Sequence, residues 1–211
     1  MAAVERFDIE KVTQVFQDSL RDEDDVQMDE YLKAYEEIMN FRFFSLIGSV
    51  FGFVSSDVRN KIDILITFRK DEEKAENFVT FKTMMSYEKD TGLLKDSKYV
   101  SGSRTLLRLH RGLEFVYEFL LKLADLAENE KVHQTCKVAY ENTLAKHHPW
   151  VVRKGALVAM YALPTQGELL KRVCTNVPRA IEVLPEMLKN TKIVYDRTHA
   201  LYTLYDLHAL P

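Results

Sequence analysis

Two cysteines, Cys136 and Cys174, are all that the 211 residues contain, too few for a disulfide framework or a cysteine-rich zinc site. Glycine and proline are scarce too, at seven and five, and the first proline is Pro149. Strands joined by tight turns need more of both, so the shortage argues against a β-rich fold. Neither sign of charge dominates: 29 Lys and Arg face 32 Asp and Glu, for a net charge of -3. The bulk basic excess of a nucleic-acid binder is therefore missing. The longest apolar run, Phe43 to Val54, is too short to span a bilayer. Early acids at Glu5, Asp8 and Glu10, with no apolar stretch beside them, predict no signal peptide. G-x-S-x-G, Walker, H-E-x-x-H, G-x-G-x-x-G and C-x-x-C motifs are all missing. His147 and His148 are adjacent, so on a helix they point about 100° apart and cannot share a metal. The expectation is a protein without metal, cofactor or catalytic centre.

What is present is helical spacing within a globular balance of 46% hydrophobic and 29% charged residues. Ile9, Val12, Phe16 and Leu20 form one stripe behind an N-cap at Asp8. An acidic loop at Asp22–Asp25 precedes a second helix from about Asp29 to Ser55. Ser56 is placed to cap a third, reaching about Arg69, and a fourth covers Asp71–Lys89. After a loop at Gly92–Gly102, a fifth helix runs from Ser103 to about Ala127, and a sixth from about Glu130 to Lys146. Pro149 is set at the first position of a seventh. Thr165 and Glu168 form a capping box for an eighth. Pro178 opens a last helix, interrupted or kinked at Pro185. The reading is one all-α domain over residues 1–211.

Two of these helices carry the candidate functional residues. The second is apolar nearly all round, through Phe43, Leu46, Ile47, Val50, Phe53 and Val54. That pattern suits either the centre of a helical bundle or the wall of a hydrocarbon-binding cavity. On the fifth, Arg104, Arg108 and Arg111 fall in a stripe about 60° wide that Phe115 and Phe119 continue. The row is either a solvated surface or the phosphate end of a site for an anionic amphiphile. Arginine forks match phosphate oxygens, and a helix N-terminus favours an anion. Asp57 and Lys61, at i,i+4, make a pair that as bare spacing is an ordinary surface salt bridge. Trp150, the sole tryptophan, stands near Arg153 and Lys154, and suits either a core junction or a membrane interface.

The segments Ser-Arg-Thr-Leu-Leu-Arg-Leu-His-Arg-Gly-Leu (103–113) and His-His-Pro-Trp-Val-Val-Arg-Lys (147–154), with Ser-Asp-Val-Arg-Asn-Lys (56–61) upstream, resemble the signature of the glycolipid transfer protein superfamily. The likeness runs from about residue 8 to the Leu-His-Ala-Leu-Pro end. It implies a two-layer helical sandwich enclosing a lipid cavity lined by Phe43, Leu46, Ile47, Val50, Phe53, Val54, Phe115 and Phe119. It further implies that Asp57 and His148 hold the ceramide amide, and that Lys61, Arg104 and Arg108 hold a phosphate. Glycolipid-binding members carry a tryptophan, for stacking on a sugar, where this chain has Arg104. The cargo implied is therefore ceramide 1-phosphate. Trp150, Arg153 and Lys154 would dock on membranes, anionic ones included, with no nucleic-acid partner and a monomeric state. The place of action implied is the cytosol, with transient visits to membranes such as the trans-Golgi and plasma membrane. The alternative is a sphingolipid sensor or adaptor that regulates a partner.

Overall fold

The computed structural model describes residues 7–40 and 52–211. Among them are nine α-helices and one two-stranded sheet. They are α1 (Ile9–Ser19), β1 (Leu20–Arg21), β2 (Asp25–Val26), α2 (Met28–Asn40), α3 (Gly52–Lys70) and α4 (Phe81–Asp90). Then come α5 (Gly102–Ala124), α6 (His133–Asn142), α7 (Trp150–Met160), α8 (Gln166–Val173) and α9 (Val177–Tyr205).

Capping residues set most boundaries. The Asp8 carboxylate accepts from the Glu10 and Lys11 amides at the start of α1, which buries Ile9, Val12 and Phe16. Thr165 and Glu168 form the expected reciprocal box at α8. Several expected boundaries are corrected. Ser56 lies inside α3 and caps nothing. The expected fourth helix is a 3₁₀ turn at Ala75–Phe78 followed by α4, because Thr80 and Thr83 build a capping box that restarts the chain. The expected sixth ends at Asn142 and is followed by a 3₁₀ turn at Leu144–His147. Pro149 is the N-cap of α7 and not its first residue. The last helix starts at Val177 behind an Asn176 cap and continues through Pro185 as a single helix.

The acidic run is part of a hairpin, not a plain loop. Leu20 pairs with Val26 and Arg21 with Asp25, and Asp22 takes the left-handed conformation (φ 46°). Arg197 of α9 donates to the carbonyls of Arg21, Asp22 and Asp25. Buried Asp25 accepts from the Lys82 amide at 3.0 Å, and Asp24 pairs with the Lys82 ammonium at 2.7 Å. Those carboxylates fasten the hairpin to α4, and its main-chain oxygens fasten it to α9.

Helix α5 is the organising element, packed against α3, α4, α6 and α9. Its N-terminal amides meet an anion from within the protein. Fully buried Glu88 of α4 accepts from the Gly102 and Ser103 amides at 2.7 and 2.8 Å and from the Ser101 hydroxyl at 2.9 Å. Gly102 leaves room for Met84 of α4, since a Cβ there would lie 2.5 Å from the Met84 sulfur.

Candidate functional site

A cavity of about 1010 Å³ opens between α2 and α3 on one side and α5, α6 and α7 on the other. Its volume sits at the upper end of the roughly 300–1,000 Å³ of ordinary ligand sites. One part of the lining is polar: the charged Asp57 and Lys61 from α3 and Arg108 and Arg111 from α5, with the imidazoles of His147 and His148 from the turn before α7. The rest is mainly apolar, with Ile38, Met39 and Val54, then Leu109, Phe115 and Val116, then Val152, Ala156 and Met160.

The helical repeat explains the grouping on α5. Residues 108, 111, 112, 115 and 116 occupy one face, so arginines and hydrocarbon share a wall. On α3 the i,i+4 spacing brings Lys61 Nζ to 2.5 Å from Asp57 Oδ1. The Lys61 side chain is 9% exposed and that of Asp57 60%, which makes this more than a solvated surface pair. The carboxylate faces outward while the ammonium is held against the cavity. Arg59 points elsewhere and meets Glu36 at 3.6 Å.

His148 is half-buried, and its Nδ1 lies 2.9 Å from the Tyr140 hydroxyl. Burial lowers the pKa of the ring, against an opposing pull from the Asp57 charge. Burial also raises that of Tyr140, so its hydroxyl keeps its proton. The imidazole is therefore neutral at physiological pH and supplies one donor and one acceptor. Cys136 also lines the cavity, but burial pushes its thiol up to about 12, and a protonated thiol is a weak nucleophile. Among the described residues no group of three His, Cys, Asp or Glu side chains is placed to hold a metal.

The structure thus brings together Asp57, Lys61, Arg108 and His148 from the expected site, with Val54 and Phe115 from the expected cavity wall. It separates Arg104 from them. That guanidinium donates to the main-chain carbonyls of Leu94, Asp96 and Tyr99, and Arg104 does not line the cavity. The cause is local: the segment before α5 places three main-chain carbonyls within reach of the guanidinium. Phe119 is buried, with its ring 6.0 Å from that of Phe115, in the core and not in the lining. Phe43, Leu46, Ile47 and Val50 lie outside the described residues, as does the side chain of Phe53.

The head-group set that the resemblance implied left out Arg111, and sequence reasoning gave Tyr140 no role. The first stood in the arginine row and could have been kept; nothing local marks the second. Trp150 is not a core residue: it is 63% exposed at the start of α7, with Val151 at 71%, Val158 at 71% and Tyr161 at 71% on the same helix and the turn that ends it. Arg153 and Lys154 are exposed beside them. Within the described residues no helix is long and apolar enough to cross a membrane.

Comparison with known proteins agrees with this geometry. The glycolipid transfer protein family matches over residues 26–175. A ceramide-1-phosphate transfer protein of Danio rerio is 35% identical over 97% of this chain and 98% of its own length. The crystal structure of the apo form of the mouse ceramide-1-phosphate transfer protein superposes with a TM-score of 0.89 at 34% identity, over 97% of this chain and all of the other. The human ceramide-1-phosphate transfer protein in complex with 12:0 ceramide 1-phosphate gives a TM-score of 0.85 at 30% identity, again over 97% of this chain and all of the other. The architecture is the two-layer helical sandwich of that fold, built around a largely apolar cavity, and the chain belongs to the glycolipid transfer protein family.

Proposed function

We propose that this chain carries ceramide 1-phosphate between membranes as one domain over residues 1–211, making and breaking no covalent bond. The observation that carries this reading is a cationic set, Lys61, Arg108 and Arg111, on the wall of a cavity whose remaining lining is mainly hydrocarbon. The relatives of known cargo support it over the whole chain.

Each residue has a physical task. A ceramide has on the order of 30 methylenes, so passing it through water costs about 20 kcal/mol or more. A dry cavity replaces bilayer with protein, and that term nearly cancels between donor membrane and carrier. The phosphate contacts then select the cargo, at about 1.5–3 kcal/mol for each charged hydrogen bond. Lys61, Arg108 and Arg111 supply them, as guanidinium forks and an ammonium. Asp57 accepts from the ceramide amide N–H. With the Tyr140 hydroxyl donating to Nδ1, His148 carries its hydrogen on Nε2 and donates to the amide carbonyl. The exposed side of α7, with Trp150, Val151, Arg153 and Lys154, rests on the bilayer, apolar anchors and positive charge together. Its opposite side, through Val152, Ala156 and Met160, lines the cavity. The protein works from the cytosol as a monomer and touches membranes transiently.

The test is transfer of fluorescent lipids between vesicles. Ceramide 1-phosphate should move and galactosylceramide should not, and Arg108→Leu should slow transfer about tenfold or more, the factor carried by one charged hydrogen bond. Galactosylceramide moving as fast as ceramide 1-phosphate would refute the assignment.

A further inference from the structure

Past the end of α9 the chain turns back toward the charged part of the cavity. Asp206 takes the left-handed conformation at the C-cap (φ 57°), and the Leu207 amide donates to the Tyr202 carbonyl at 2.9 Å. Leu207 is buried, and the Leu210 amide closes a turn onto the Leu207 carbonyl at 3.3 Å. His208 bonds through Nε2 with the Thr203 hydroxyl at 2.8 Å, and its ring lies 4.6 Å from that of His199. The segment is therefore a built structure that ends beside two arginines. Arg111 donates to the His208 main-chain oxygen at 3.2 Å, and Arg108 to that of Pro211 at 3.4 Å.

We infer that the segment Leu207–Pro211 is a positioning element of the head-group site, its main-chain oxygens aiming the Arg108 and Arg111 guanidiniums into the cavity. This rests on the phosphate reading above. A guanidinium has five donors in a rigid planar fork, so tying one N–H on the far side fixes where the others point. The carbonyl of His208 is uncharged, so it orders Arg111 and leaves its charge whole for a phosphate. Each arginine otherwise has several rotatable bonds to freeze when phosphate arrives, and prior ordering removes part of that entropy cost.

The test measures affinity for short-chain ceramide 1-phosphate and short-chain ceramide by calorimetric titration, and reads their ratio. Deleting residues 208–211 should lower the ratio about tenfold while ceramide affinity stays within twofold. Inserting Gly-Gly between Leu207 and His208 keeps every side chain, displaces both oxygens, and should do the same; it decides the matter if the deletion does not fold. In an Arg108→Ala/Arg111→Ala background neither change should alter the ratio further, because the effect passes through those arginines. An unchanged ratio in a wild-type background, or an equal drop in the double variant, would overturn the inference. A wild-type protein that does not prefer ceramide 1-phosphate over ceramide would overturn the phosphate reading first, and this one with it.

Discussion

Replacing His110 with phenylalanine separates the roles of shape and proton in the stack that joins α5 to α9. The ring is 3% exposed. It lies 4.4 Å from Tyr195 at 15° and 5.7 Å from Tyr202 at 25°, and neither ring nitrogen has a hydrogen-bond partner among the described residues. Burial, reinforced by His199, His208 and Arg111, pulls its pKa from 6.5 to about 3. An unfolded chain protonates this residue below about pH 6.5, while the folded protein keeps it neutral down to about pH 3. Between those values the unfolded state binds more protons, so stability falls as pH falls; above pH 7 the effect is absent. At pH 5 the ring is about 1.5 pH units below its unfolded pKa, which at 1.36 kcal/mol per unit amounts to about 2 kcal/mol. Phenylalanine cannot be protonated, keeps a flat ring for the stack, and buries no orphan nitrogen. The variant should match or exceed the wild type at pH 7.5 and should lose about 2 kcal/mol less on transfer to pH 5. Urea unfolding at both pH values, followed by circular dichroism, measures this. Equal losses in the two proteins would refute the reasoning, and a variant much weaker at pH 7.5 would show that the stack needs imidazole. The stake reaches the lipid site, because α9 carries the segment that holds Arg108 and Arg111.

Glu88→Ala strips the acceptor from two amides and a hydroxyl in a fully buried place, so stability should drop by about 3 kcal/mol or more. Glu88→Gln, which keeps one acceptor oxygen, should lose less; thermal melts followed by circular dichroism compare the two. Trp150→Ala should change stability by less than about 0.5 kcal/mol, because the side chain is exposed, yet slow transfer several-fold. Wild-type Trp150 emission should shift blue on adding phosphatidylserine vesicles, and an emission that ignores them would move the docking surface away from α7.

Local chemistry settled much of this protein. Scarce glycine and proline, the 3.6-residue repeat, and the caps at Asp8 and Thr165 each act within a few residues, so the all-α class and those helix starts are legible in the chain alone. The Asp57–Lys61 pair is legible for the same reason, since four residues on a helix always face one way. Tertiary contacts decided the rest. The hairpin at 20–26 exists because Arg197 reaches its carbonyls from α9, and no propensity of seven residues announces that. The N-terminus of α5 was legible as an anion site, but its anion is Glu88, fourteen residues from Gly102. Arg104 and Arg108 look alike in sequence, a turn apart on one face. They part because the oxygens within reach of Arg104 belong to the segment before α5, away from the cavity, whereas the one that meets Arg108, on Pro211, leaves it in the cavity lining. An arginine side chain is long and its donors are indifferent to which oxygen they meet, so the acceptors within reach decide. Only the folded chain places those acceptors.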